Sequence, residues 1–257
     1  MTATGRTPYL DPPATDAPLR LFCFHHAGGA ASVYRHWHRA LSPHVSVWPV
    51  QLPGRGRRVG DPRFVDLDAL LDDLEDHLSE SLSVPHAFFG HSMGALVAYG
   101  LARRRQAAGH PLPRALLVSA YSAPHLAPPV PPVGDLDDAG LARLLVEIGG
   151  LPEGALDWPG WLAQALAATR DDLNLCAGPR DGGERPLECP VHVYGADADP
   201  LVGERDLRAW DRHTIDLREV RILPGGHFYL HDSPGELLAL LRSALHAYTA
   251  DRPVGVG

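Results

Sequence analysis

Phe88-Phe89-Gly90-His91-Ser92-Met93-Gly94-Ala95 is the stretch on which the reading of this chain turns. It has the pattern G-x-S-x-G. A short apolar run over 86–89 precedes it, and Ala-Leu-Val-Ala-Tyr-Gly-Leu-Ala follows from Ala95. A serine hydroxyl attacks a carbonyl only when a base takes its proton, so it must stand clear of the backbone and face that base. A sharp strand-to-helix turn does this, at the cost of unusual backbone geometry at the serine. Small residues at Gly90 and Gly94 let the turn close without a Cβ clash. The turn also aims the Met93 N–H, at the helix start, where it can stabilise an oxyanion. The bare pattern recurs by chance, so its flanks carry the weight. Residues 86–89 follow Pro85 as a buried strand would, and Leu96, Tyr99, Leu101 and Ala102 lie near helical spacing over 95–105.

Upstream, 19–24 (Leu-Arg-Leu-Phe-Cys-Phe) is a strand candidate running into His25-His26-Ala27-Gly28-Gly29-Ala30-Ala31-Ser32. This loop has neither G-x-G-x-x-G nor a P-loop lysine, so it is not read as a nucleotide fingerprint. Its small residues let backbone amides approach a reacting carbonyl, which pairs Ala27 with Met93 as candidate oxyanion donors. Residues 34–41 read as a short helix and 45–51 as a strand. Leu52-Pro53-Gly54-Arg55-Gly56-Arg57-Arg58 then forms a basic turn. Asp66 caps an amphipathic helix with Leu67, Leu70, Leu71, Leu74 and Leu78 on one face. Residues 114–120 form a further buried strand.

Apolar strands alternating with helices imply a mostly parallel central sheet covered by helices on both faces. Beyond Tyr121 the alternation stops. A proline-rich run over 124–132 leads to two amphipathic helices, 136–148 and 158–175, with no strand between them. The segment 121–186 is therefore expected to be a helical lid inserted into one domain that spans 1–257. Trp158 and Trp161 within it are read as core rather than as substrate wall. The sheet resumes at 190–195, followed by Ala196-Asp197-Ala198-Asp199-Pro200-Leu201-Val202. A last strand at 217–223 leads into Pro224-Gly225-Gly226-His227-Phe228-Tyr229, and 236–248 is the closing helix.

Composition narrows the classes. Over 257 residues, 45% apolar and 21% charged content is that of a globular chain with a substantial core. A net charge of −8 argues against nucleic acid and against a polybasic membrane surface. Cys23, Cys176 and Cys189 are an odd, sparse set without C-x-x-C spacing, which fits a reducing cytoplasm and implies no disulfide framework or zinc site. The histidines are scattered, without metal-ligand spacing to carboxylates or thiols. Residues 1–18 read as a loose, proline-rich arm without a signal sequence, and no apolar run approaches the ~20 residues of a membrane span. No cofactor is signalled, and a monomer is the default.

The chemistry-bearing residues occur in the order Ser, Asp, His, which is the α/β-hydrolase order. Ser92 attacks, His227 accepts its proton, and an aspartate orients the imidazole and stabilises its cation. Asp199 and Asp197 compete for that place. Asp199 is preferred because Pro200-Leu201-Val202 follows it, while Asp197 is assigned to the loop. His231 rivals His227, but Gly225-Gly226 give His227 the freedom to reach the site.

Taken jointly, Phe24-His25-His26-Ala27-Gly28-Gly29, Gln51-Leu52-Pro53-Gly54-Arg55, Gly90-His91-Ser92-Met93-Gly94-Ala95 and Gly225-Gly226-His227-Phe228 resemble the type II thioesterases. These are stand-alone editing enzymes of polyketide and nonribosomal peptide assembly lines. The resemblance runs from about residue 19 to 245 and departs at His25, where the family usually has proline. It implies hydrolysis of acyl groups from the phosphopantetheine arm of an acyl or peptidyl carrier protein, with Ser92, Asp199 and His227 as triad and the Ala27 and Met93 N–H groups as oxyanion hole. Arg55, Arg57, Arg58 and Arg63, with Arg103 to Arg105, read first as solvated surface and second as a patch for an acidic carrier. A small-molecule carboxylesterase or lipase is the rival reading, because a triad alone does not separate ester from thioester.

Overall fold

The computed structural model describes residues 7–11, 13, 17–130, 133–178 and 185–249. Most of the 1–18 arm, and positions 131–132 and 179–184 of the 121–186 segment, lie outside the described residues. The strands are β1 (Leu19–Phe24), β2 (Val45–Pro49), β3 (His86–His91), β4 (Leu116–Ser119), β5 (Val191–Ala196) and β6 (Leu217–Leu223). The helices are α1 (His38–Leu41), α2 (Leu67–Leu78), α3 (Met93–Ala108), α4 (Asp138–Glu147), α5 (Pro159–Ala177), α6 (Glu204–Arg208), α7 (Tyr229–Asp232) and α8 (Pro234–His246). The strands form one sheet in the order β2-β1-β3-β4-β5-β6. Every neighbouring pair is parallel.

Alternation along each strand feeds two cores. Phe22, Phe24, Phe88, Leu116, Val118, Val191 and Val193 face α2 and α3, whereas Leu21, Cys23, Ala87, Phe89, Leu117 and Tyr194 face α1 and α8. Asp66 caps α2 as its position predicts, accepting the Ala69 N–H at 2.8 Å, and the helix buries Leu70, Leu71, Leu74 and Leu78. On the other face α8 buries Leu237, Leu241 and Leu245, one turn apart. In α3 the run Met93–Ala98 is buried throughout, because the helix lies between the sheet, α2 and α5.

Between β4 and β5 lie α4 and α5. Leu141, Ala142, Leu145 and Ile148 pack with Leu166 into a separate small cluster that rests on Leu201 and Phe228. The C-terminal turns of α5 join the main core through Leu175 and Cys176. The insertion thus sits over the loops that follow β5 and β6.

Four expectations need correction. The arm is not loose at Tyr9 and Leu10, which are buried. The Tyr9 hydroxyl donates to Asp73, and its carbonyl accepts the Gln51 N–H at 2.9 Å. The helix expected over 34–41 is a 3-10 turn, Ala31–Tyr34, followed by the short α1. Trp158 and Trp161 are not core; at the start of α5 they are 71% and 55% exposed.

The basic runs divide: Arg57 and Arg63 are exposed, as the solvated-surface reading expects, whereas Arg55 and Arg105 are buried. Arg55 is buried against Asp172, Arg57 pairs with Asp11, Arg58 with Asp61, and Arg63 with Asp171. Arg104 holds Asp68 and Asp72, Arg105 is buried on Glu75, and Arg103 donates to the Tyr99 hydroxyl at 3.2 Å. Neighbouring carboxylates neutralise Arg55, Arg57, Arg58, Arg63, Arg104 and Arg105, a pairing that a list of basic positions does not reveal. No helix among the described residues is long and apolar enough to cross a membrane.

Candidate active site

The sheet is parallel, so the C-terminal ends of its strands share one edge, and the loops leaving that edge form a crevice. Ser92 follows β3 there, the 25–32 loop follows β1, Asp199 follows β5, and His227 follows β6.

Ser92 has φ 53° and ψ −124°, outside the ordinary L-residue regions. Such a residue costs on the order of 1–3 kcal/mol unless its surroundings hold it. Here its N–H donates to the Ser119 carbonyl and its carbonyl accepts the Ala95 N–H, both at 2.8 Å. A Cβ at Gly90 would strike the backbone of Gly94 and Ala95, and one at Gly94 would strike the carbonyls of Phe24 and His25. Both glycines are therefore required by close backbone approach, as the G-x-S-x-G reading demands.

The structure brings Ser92, His227 and Asp199 together. His227 Nε2 lies 3.0 Å from Ser92 Oγ, and His227 Nδ1 lies 2.9 Å from Asp199 Oδ2. The Asp199 side chain is 0% exposed and that of His227 2%. A carboxylate has only acceptors, so Nδ1 carries the proton facing it and leaves the Nε2 lone pair for the serine hydroxyl. Asp199 Oδ1 accepts the N–H groups of Leu201 at 2.8 Å and Val202 at 3.3 Å, which fix the carboxylate plane. Asp197 accepts the Gly225 N–H at 3.0 Å and thereby holds the His227 loop, away from the imidazole. His231 is exposed, and its Nε2 meets His26 Nε2 at 3.3 Å rather than the serine.

Ala27 lies in the loop after β1, and Met93 directly follows the serine at the start of α3. Neither N–H is taken by a carbonyl or side chain among the described residues.

Sequence reading missed a buried polar layer beneath His227. His91 Nδ1 meets Ser119 Oγ at 2.8 Å, and Ser119 Oγ meets the Tyr229 hydroxyl. The His91 ring centroid lies 5.4 Å from that of His227. Burial, reinforced by the neighbouring His227, holds His91 well below the usual histidine range, so it stays neutral and adds no charge beside the base. Burial likewise brings His26 down to about 4. His91 is the variable position of G-x-S-x-G and Ser119 ends a plain apolar strand, so neither carries a sequence signal. The three cysteines are buried and form no disulfide with one another, and no group of three His, Cys, Asp or Glu among the described residues is placed to hold a metal ion.

Known proteins place this geometry in context. Linear gramicidin dehydrogenase LgrE of Brevibacillus parabrevis is 36% identical over 243 residues, covering 93% of this chain and 92% of that protein. The RedJ thioesterase from the prodiginine biosynthetic pathway in Streptomyces coelicolor has the same α/β-hydrolase fold, with a TM-score of 0.81 and 37% identity over 91% of each chain. The type II thioesterase BorB from the borrelidin biosynthetic cluster has a TM-score of 0.83 and 35% identity, over 92% of this chain and 97% of that one. The thioesterase domain family model matches residues 19–245, all six strands and the site included, and the chain belongs to that family.

Proposed function

We propose that this thioesterase is a stand-alone enzyme of polyketide or nonribosomal peptide assembly, hydrolysing acyl groups from the phosphopantetheine arm of an acyl or peptidyl carrier protein. The observation that carries the reading is the single line of contacts from Ser92 Oγ through His227 to Asp199, at 3.0 and 2.9 Å. The family membership and the BorB and RedJ likenesses support the thioester and the assembly-line setting.

The chemistry follows from proton bookkeeping. His227 Nε2 takes the Ser92 proton as Oγ attacks the thioester carbonyl, and Asp199 stabilises the imidazolium. The carbonyl oxygen gains the negative charge and is met by the Ala27 and Met93 N–H groups. Collapse breaks the C–S bond, His227 returns the proton to the pantetheine sulfur, and the acyl group stays on Ser92. Water then attacks the ester with His227 again as base, which frees the acid and restores the serine. No cofactor is called upon, since the phosphopantetheine belongs to the substrate. A hydride-transfer reading, which the name of the Brevibacillus relative implies, has no support in the residues, because the loop after β1 carries no dinucleotide fingerprint.

In this reading α4 and α5 act as a lid that encloses the acyl end while the carrier stays outside. Their cluster rests on Leu201 and Phe228, neighbours of Asp199 and His227. The enzyme works as a cytoplasmic monomer. Rates on one acyl group presented as acyl-carrier protein, acyl-CoA and p-nitrophenyl ester test the assignment. The expected order of kcat/KM puts acyl-carrier first. A preference for the aryl ester would make the chain a small-molecule carboxylesterase.

A further inference from the structure

The Gln51-Leu52-Pro53-Gly54-Arg55 motif supplies no group to the reacting atoms, yet its polar side chains converge on the loop after β1. Arg55 and Asp172 form a two-pronged ion pair, with Nη2 to Oδ1 at 2.8 Å and Nη1 to Oδ2 closer still. Their side chains are 9% and 2% exposed. Asp172 comes from α5, in the insertion. Its Oδ2 also accepts the Gly28 N–H at 2.8 Å. The carbonyl of the same peptide unit, that of Ala27, is met by His26 Nδ1 at 2.9 Å. Farther along the loop, Gln51 Oε1 accepts the Ala31 N–H at 3.3 Å. Gly28 has φ 73°, and a Cβ there would collide with the Thr169 hydroxyl, one turn before Asp172 on the same helix.

We propose that Arg55 and Asp172 are positioning residues for the oxyanion donor at Ala27. The Asp172 carboxylate, locked by the Arg55 guanidinium, grips the Gly28 N–H and fixes the peptide that follows Ala27. This rests on the reading of Ala27 as an oxyanion donor. The 27–28 peptide is held at both its N–H and its C=O, and the 26–27 peptide, which carries the Ala27 N–H, is held at the His26 carbonyl by the Gly29 N–H at 3.0 Å and by His25 Nδ1 at 2.8 Å. With both planes flanking Ala27 held, the direction of its N–H is set. A buried bidentate pair suits the task, because a guanidinium and a carboxylate in that geometry cannot drift apart without leaving two charges unpaired. Asp172 sits on the inserted helix, so the hole is complete only when α5 is docked. Closure over the acyl group and stabilisation of the oxyanion are thereby coupled.

The test measures kcat and KM for an octanoyl-pantetheine thioester, with inhibition constants for two probes. An octyl trifluoromethyl ketone forms a tetrahedral adduct with Ser92 and fills the hole. The amide isostere of the thioester binds only as ground state. In Asp172→Asn an amide nitrogen in place of Oδ2 would face both the Gly28 N–H and Arg55 Nη1, and in place of Oδ1 would face Arg55 Nη2, so the two-pronged lock on the carboxylate is lost in either orientation. The expected result is a fall in kcat and in ketone affinity of about 10²-fold, as for an ångström-scale misplacement, with amide affinity within threefold of wild type. Arg55→Met/Asp172→Leu removes both charges together and avoids an unpaired ion in the core. It is expected to fold and to show the same split.

Retention of kcat within threefold by either folded variant would overturn the proposal. Equal loss of ketone and amide affinity would do so too. Unfolding of both variants would make the pair a folding element instead. Ser92→Ala in the same assay separates this inference from its premise. Hydrolysis surviving there removes the nucleophile, whereas an inactive Ser92→Ala beside a fully active Asp172→Asn removes only the positioning role.

Discussion

Replacing Asp199 with asparagine puts a sharp demand on the geometry. Asp199 Oδ1 is held by two backbone donors, Leu201 N–H at 2.8 Å and Val202 N–H at 3.3 Å. Only an oxygen satisfies that side, so the asparagine amide nitrogen must face His227 Nδ1, where Oδ2 now stands at 2.9 Å. A donor there requires Nδ1 to accept, which moves the ring proton to Nε2, the atom 3.0 Å from Ser92 Oγ. The base then presents a proton to the hydroxyl it should deprotonate. Both side chains are buried, so water does not restore the lost arrangement. The wrong tautomer in a serine–histidine–aspartate site costs about 10⁴ in kcat, or about 5 kcal/mol of barrier. Thiol release from an acyl-pantetheine, with Ser92→Ala as baseline and a melting curve to confirm folding, reads this directly. A folded Asp199→Asn within tenfold of wild type would refute the reasoning. So would an Asp197→Asn variant that lost more, since Asp197 only braces Gly225 here.

Other consequences are simpler to state. Gly94→Ala drives a methyl into the carbonyls of Phe24 and His25, backbone that ends β1 and has no room to yield; urea unfolding should show a loss of about 1–3 kcal/mol or more, with activity lost as the turn shifts. His86 is buried with Nε2 unpartnered among the described residues, and burial brings it down to about 4 from its ordinary 6.5. The unfolded chain therefore takes this proton first, and the stability present above pH 6.5 is lost as pH falls from there towards 4. His86→Phe should flatten the acid limb by up to about 1.4 kcal/mol per pH unit across that window, and an unchanged slope in urea titrations at pH 7 and 5 would contradict this. Trp158 and Trp161 stand in solvent, so the double change to serine should leave unfolding free energy within about 0.5 kcal/mol, as measured by denaturant titration.

Much of this was legible in sequence because it is local. Most described strands are short, mainly apolar runs, β6 with Arg218, Glu219 and Arg221 excepted, and the turn at Ser92 announces itself through Gly90 and Gly94. The order Ser92, Asp199, His227 could be read, and Pro200-Leu201-Val202 favoured the aspartate that the structure sets against the imidazole. Long-range pairing could not be read. Arg55 and Asp172 lie 117 positions apart, and nothing near either marks it as buried or paired. The same holds for Tyr9 on Asp73, and for Ser119 between His91 and Tyr229. Trp158 and Trp161 misled because large aromatic side chains are usually buried, whereas both stand exposed at the start of α5. The two short helices α6 and α7 are each about one turn long, too short for periodicity to register.

The central claim is that Ser92 carries the acyl group between thioester and water. Rapid acid quench of the enzyme turning over an acyl-carrier thioester, followed by peptide mass mapping, tests it directly. The account predicts one acyl mass added to the peptide containing Ser92, absent from Ser92→Ala, which also loses turnover. Hydrolysis that persists in Ser92→Ala, or an acyl group found on another residue, would contradict it.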